Sequence, residues 1–243
     1  MTTIELGPNV RLEKAGEFAR AAKDPDAKPP PDIVAKFPAK AENHRCDPSG
    51  TWYATIEELV PVVEGKKKVN RPRHRIHWLD ASGLRIAKDL EVFHAAAWNE
   101  RVALLTGDRG KLLQLSLEDG GISALPVTGH TFDDEARLQE IFFLEGDRVV
   151  VHEREQEIVL LAKWTPTGLQ SLKTFPFEGA FTVVGRRYLV GGAKSVRAFD
   201  LAADPVEVGT SSDTGVGMLW RCGDKARLYS SKTGAWDVKV DSP

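Results

Sequence analysis

Cysteine is scarce: the 243-residue chain has two. Cys46 and Cys222 lie far apart and form no Cys-x-x-Cys pair, which excludes a zinc ribbon or a thioredoxin-like dithiol and leaves two buried or half-buried thiols as the expectation. Long hydrophobic runs are missing as well. No stretch approaches the ~18 consecutive apolar residues that a bilayer-spanning helix needs, and the richest runs, 141–144 and 149–151, are strand-sized, so no membrane association is expected. The amino terminus has no basic start followed by an apolar stretch; it does not read as a secretory signal, and the expected location is cytoplasmic. Charge of one sign is also lacking. Thirty-three Lys and Arg face thirty-five Asp and Glu, a net charge of -2, so no global field draws the chain onto nucleic acid or an anionic membrane.

Catalytic signatures are equally thin. The chain has no Gly-x-Ser-x-Gly elbow to present a nucleophile, no glycine-rich loop opening a helix to cradle phosphate, and no His-Glu-x-x-His or calcium-loop pattern. Ser49, in Pro48-Ser49-Gly50, reads as a turn residue. No cofactor and no metal centre are expected.

What is present is turn chemistry and short apolar strands. With 42% hydrophobic and 28% charged residues the chain can bury one sizeable core, and 14 Pro, 21 Gly and 6 Trp suit many short strands joined by turns. Residues 12–23 place Leu12, Ala15, Phe18, Ala19 and Ala22 at helical spacing, predicting one short amphipathic helix, and 24–31 (DPDAKPPP) read as a proline-rich connector. From Thr51 onward the period becomes that of strands, and a unit of four short strands recurs. Residues 140–175 hold one copy, 181–208 the next, and 93–127 an earlier one. The copies at 51–88, with a long polar hairpin, and at 217–240 are weaker. The last is one strand short, and residues 2–6 are expected to supply it. Second strands begin at Thr51, Arg101, Arg148, Arg187 and Lys225, so the intervals by subtraction are 50, 47, 39 and 38.

That rhythm resembles the β-propeller superfamily, whose WD40 and kelch repeats run to about 40–50 residues. The resemblance lies in strand spacing alone: the one Trp-Asp dipeptide, Trp236-Asp237, falls in mid-strand, and no particular family is indicated. It implies an all-β fold: a single closed β-propeller of about five four-stranded blades, residues 51–243. Residues 1–50 would carry the closing strand, the short helix and the connector. A β-sandwich or barrel is the alternative architecture.

Two exposed features could bind a partner. Lys66, Lys67, Lys68, Arg71, Arg73 and Arg75 put six positive charges and no acid into the long hairpin, leaving -8 on the rest of the chain (-2 minus +6). Asp133, Asp134 and Glu135 form an acidic loop beside His130. A central pocket could instead draw on Glu140, Glu178, Asp213 and His130. Five-bladed propellers that hydrolyse glycosides resemble one another in ringing that pocket with carboxylates, whereas the inner strands expected here, 93–98, 141–144, 181–184 and 216–220, contain none. His74 and His77, three apart on a strand, point to opposite faces, and His94 and His152 read as satisfied imidazoles within apolar strands. The expected function is therefore a non-catalytic protein–protein interaction module, a scaffold subunit of a cytosolic complex whose partner is another protein with an acidic surface. The alternatives are a hydrolase or small-ligand binder using the central pocket, and a nucleic-acid binder gripping phosphates through the basic hairpin. The last is disfavoured because the hairpin lacks interleaved aromatics.

Overall fold

The structure, a computed structural model, describes residues 3–15, 29–80, 82–90, 95–107, 109–133, 135–211, 218–223, 225–230 and 234–241. Two strands, β1 (Thr3–Gly7) and β2 (Val10–Lys14), open the chain, followed by the short helix α1 (Pro31–Val34). The first sheet takes its strands in chain order: β3 (Glu42–Cys46), β4 (Trp52–Glu64), β5 (Lys67–Asp80) and β6 (Gly83–Leu90). The second does the same with β7 (Ala96–Trp98), β8 (Val102–Thr106), β9 (Leu112–Ser116) and β10 (Ile122–Ala124). A two-residue strand, β11 (Val127–Thr128), precedes the third sheet, which contains β12 (Leu138–Phe143), β13 (Arg148–Glu153), β14 (Ile158–Thr165) and β15 (Gly168–Pro176); β11 pairs in parallel with β15. The fourth holds β16 (Phe181–Val184), β17 (Tyr188–Gly191), β18 (Val196–Asp200) and β19 (Val206–Ser211). The fifth begins with β20 (Met218–Cys222), β21 (Lys225–Ser230) and β22 (Gly234–Val240), and β2 and then β1 complete it from the other end of the chain.

Strands such as β13, Arg-Val-Val-Val-His-Glu, carry consecutive valines and are buried from Val149 to Glu153 because both of their faces are covered. Val149 and Val151 pack with Leu104, Ile141 and Trp164 between the second and third sheets, while Val150 packs with Phe142, Phe181 and Leu189 between the third and fourth. Each such side chain contributes about 1.5–3 kcal/mol by leaving water. A cluster around Tyr53, Trp78 and Trp98 joins the first sheet to the second, and one around Leu12, Val190 and Trp236 joins the fourth to the fifth. Face-to-face stacking of successive small sheets is a propeller-type arrangement; a sandwich or barrel would merge these strands into one or two sheets.

The junction of the fifth sheet with the first is built differently. Cys46 and Cys222, 176 residues apart, form a disulfide between the ends of β3 and β20. This corrects the expectation of two thiols. Beside it, the Gly223 N–H donates to the Asp47 carbonyl at 3.0 Å. The Asp47 side chain, 2% exposed, accepts from the Trp98 N–H at 2.9 Å through one oxygen and from the Ser49 and Thr51 N–H groups through the other. Ser49 is a turn residue here, as its neighbours predict.

The expected helix over 12–23 is corrected where it can be seen. Val10 and Leu12 alternate with Arg11 and Glu13, so β2 buries the two apolar residues, and every residue from Val10 to Lys14 pairs with β22. Tertiary pairing overrides a weak helical pattern, and residues 16–23 lie outside the described residues. The missing strand of the last unit is thus supplied by two amino-terminal strands where one was expected. The strands β1, β2 and β3, all before residue 50, share sheets with later ones. Among the described residues no helix is long and apolar enough to cross a membrane.

The added strand β1 lies tightly against β19. A Cβ on Gly209 would sit 1.6 Å from the Leu6 carbonyl oxygen, so any side chain must force the two strands apart. Gly209→Ala is expected to lower unfolding free energy by roughly 3 kcal/mol in urea titrations; a change under about 0.5 kcal/mol would mean that this contact is not maintained.

Candidate functional site

The first strands of the sheets lie innermost: β12 contacts β7, and β20 contacts both β16 and β3. Between two of these first strands runs an ion pair. Arg221, on β20 of the fifth sheet, donates through Nη2 to Glu140 Oε2 on β12 of the third sheet at 2.9 Å, bridging 81 residues of sequence and passing over the fourth sheet. Both side chains are largely sheltered, with 14% and 27% exposure. The guanidinium carbon also lies 4.3 Å from the centre of the Phe142 ring, two residues along β12 from its carboxylate partner. An aromatic face and a carboxylate thus hold one cation in a fixed place. Its buried Nε–H has no acceptor.

Register supplies the neighbours. Glu140 sits directly opposite His152 in the β12–β13 pairing, so the two side chains share a face. The His152 imidazole packs edge-on to Phe181, with ring centres 5.0 Å apart, and its burial pushes its pKa below the usual histidine value while the Glu140 charge pulls weakly the other way. Burial thus favours the neutral form of this imidazole. Burial pushes the Tyr53 hydroxyl up; the charges acting on it are those of Arg45, Arg221, Glu140 and Asp47, which sets this ring in the same charged neighbourhood. Thr182, on the fourth sheet's innermost strand, contributes a buried hydroxyl without a hydrogen-bond partner.

Of the residues expected around a pocket, the structure brings only Glu140 into this arrangement. The expected inner strand, 141–144, began too late: β12 starts at Leu138 and carries the acid. Glu178 instead lies between β15 and β16 and receives a hydrogen bond from Lys194 at 3.3 Å. Asp213, Asp134 and His94 lie outside the described residues. Arg221 was missed because no residue pattern around Met-Leu-Trp-Arg-Cys marks it. The only signal was its place on the expected innermost strand's end, beside a cysteine.

His130 found a different partner from the expected acidic loop. Its Nε2 is 3.9 Å from Oε2 of Glu153, at the end of β13, and its ring packs on Phe132. Glu153 is 1% exposed, and neither of its oxygens makes a well-formed hydrogen bond among the described residues. Asp133 and Glu135 are exposed on the loop above, where the Asp133 carboxylate accepts the Glu135 N–H at 3.1 Å. Among the described residues no group of three or more His, Cys, Asp or Glu is placed to hold a metal ion.

The basic hairpin is a continuous two-stranded ribbon. Lys67 pairs with Glu64, Arg73 with Glu58 and His74 with Glu57, and Arg75 forms an ion pair with Glu58 at 2.9 Å. Its turn holds Lys66 beside Gly65, which has φ of 61°; Lys68 and Arg71 oppose Val63 and Val60. Acids on β4 therefore offset part of the positive run that reads as uninterrupted in β5. His77 pairs with Ala54 and is buried.

No family model matches the chain, and a search of curated proteins finds no relative. Solved structures do match in fold. The periplasmic gluconolactonase PpgL of Pseudomonas aeruginosa aligns with a TM-score of 0.53 at 14% identity, over 82% of this chain and 68% of that one. A Lactobacillus plantarum protein aligns at 0.47 and 11% identity, over 78% and 67% of the two chains. The fold is of the propeller type. The expectation of a non-catalytic interaction or scaffold module is corrected on this finding: the fold neighbour is an enzyme by name, and the innermost strands, expected to lack acids, carry Glu140.

The buried Glu153 carries a pH prediction. Burial raises its pKa above the ordinary 4.5; the Asp133 backbone N–H pulls the other way, and the Asp133 and Glu155 charges add to the rise. The folded state thus holds the proton more tightly than the unfolded chain does. Its contribution to stability is fully present below pH 4.5 and is lost as pH rises through the raised value. Glu153→Gln should leave stability unchanged at low pH and raise it by about 1–3 kcal/mol above that window; thermal melts from pH 4 to 9 check this, and parallel curves would contradict it.

Proposed function

We propose that this chain is a hydrolase of small cyclic esters that works at the axis of a closed ring of five blades. The observation that carries the reading is the Arg221–Glu140 pair, which joins the innermost strands of two non-adjacent sheets and sets a fixed cation beside a carboxylate and a neutral imidazole. Lactone hydrolysis needs such a set. Glu140 takes a proton from water as the water oxygen adds to the ester carbonyl, and Arg221 stabilises the oxyanion that develops. The proton then passes to the ring oxygen as the C–O bond breaks, leaving a hydroxy acid. His152, opposite Glu140, orients the carboxylate. The likeness to a gluconolactonase supports the fold in which this chemistry would sit.

The compartment is part of the same proposal. A disulfide persists in oxidising surroundings, so the Cys46–Cys222 bond favours an exported protein over the cytoplasmic location expected from the sequence.

The test is hydrolysis of gluconolactone and a series of unsubstituted five- and six-membered lactones, followed by proton release in a pH-stat. Glu140→Gln should lower kcat by about 10²–10⁴, and Arg221→Gln by about 10²–10³, with the fold intact by circular dichroism. A wild-type chain that hydrolyses none of these lactones, or a Glu140→Gln variant with full activity, would overturn the reading.

A further inference from the structure

Glu153 ends β13 with its carboxylate inside the protein. Among the described residues the one side chain within ion-pair reach of it is His130, whose own Nε2 is buried, unpartnered and 3.9 Å from Oε2. A carboxylate leaves water at a high free-energy cost unless opposite charge or hydrogen bonds replace the solvent. Here the replacement is thin: the Asp133 backbone N–H approaches from the loop above. A buried acid facing a buried imidazole can hold one proton between them with no net charge. Whichever of the two carries it, its loss leaves one negative charge away from water.

What keeps water out is the loop 129–136, between β11 and β12. His130 lies near its start, with its ring edge-on to Phe132 at 4.7 Å between centres, and Phe132 rests partly buried on the apolar cluster between the second and third sheets. The Gly110 N–H, on the β8–β9 turn, pins the far end by donating to the Ala136 carbonyl at 2.8 Å. The other charged groups of these elements are exposed: Asp133 and Glu135 on the loop and Arg137 at its end, Arg154, Glu155 and Glu157 on the β13–β14 turn, and Arg109 and Lys111 on the β8–β9 turn. On β15, beside β11, Lys173 pairs with Asp204 at 3.7 Å. None of these lies within ion-pair distance of Glu153.

We propose that the loop 129–136 is a pH-operated latch, held down while Glu153 and His130 share one proton and released as pH rises and that proton leaves. Release lets water reach the Glu153 carboxylate. It also loosens the start of β12, because Leu138 stands opposite Glu153 in the β12–β13 ladder, and the register is irregular between Leu138 and Glu140. The latch therefore acts two residues from Glu140, yet it stands whatever reaction Glu140 performs. Burial fixes its direction. It raises the pKa of Glu153 and lowers that of His130, so the imidazole does not supply a compensating charge as pH rises. The closed loop binds the acid's proton more tightly than the open one, and closure is lost as pH climbs through the raised value.

Hydrogen exchange of the full chain from pH 5 to 9, corrected for the intrinsic pH dependence of amide exchange, tests this. Protection over residues 129–138 is expected to fall at least tenfold across that range, while β14, in the interior of the same sheet, keeps its protection. Glu153→Gln has no proton to lose there and should give a loop equally protected at every pH. Glu135→Gln, exposed on the same loop, should follow the wild type. A wild-type loop whose protection does not change with pH would overturn the proposal. So would a pH dependence that survives in Glu153→Gln, or a loss that β14 shares equally.

Discussion

The bond on which the rest of the structure turns is the one between Cys46 and Cys222. Four junctions between successive sheets rest on apolar clusters, which any pair of valine-rich strands can supply. At the fifth, where the two ends of the repeat meet, the described residues provide a covalent link and, next to it, Asp47. That carboxylate ties the first sheet to the second through Trp98, and its backbone carbonyl ties the first to the fifth through Gly223. Joining distant parts of a chain restricts the unfolded ensemble, and for a sequence separation of 176 the chain-entropy model puts this at about 5 kcal/mol.

The candidate site inherits its geometry from that junction. Arg221 is the residue before Cys222, and Arg45 the residue before Cys46, so the crosslink holds the strand ends from which both cations project. Arg221 spans from the fifth sheet to Glu140 on the third, and a shift of β20 by one residue would turn its side chain to the other face. The β12–β13 register does the same for Glu140 and His152. A buried ion pair confers little net stability; what it supplies is a cation, a carboxylate and an imidazole fixed relative to one another.

Much of the architecture was legible because strand rhythm is a local property. Three units of four strands, their turns and the long hairpin all follow from alternation and turn residues read a few positions at a time. Long-range pairing was not legible in the same way. Nothing local distinguishes a disulfide partner 176 residues away from a lone thiol, and Glu153 closes a strand like any other polar end residue until the loop bearing His130 covers it. The helix expected from Leu12 onward failed because three or four residues of alternation, Val10 to Glu13, carry little weight until β22 is there to pair with them. Glu140 reads as a pocket residue from its place beside an expected inner strand, yet its pairing with Arg221 depends on the fifth sheet.

The Cys46–Cys222 junction organises the strands that carry the candidate site. Hydrogen exchange of the wild-type chain and a Cys46→Ser/Cys222→Ser variant, read peptide by peptide, tests it most directly. The variant should lose protection in β3 and β20 first and most strongly, with β12 around Glu140 following, while β13 and β14 in the third sheet's interior keep theirs up to the global unfolding limit. Unchanged protection in β3 and β20 would contradict it.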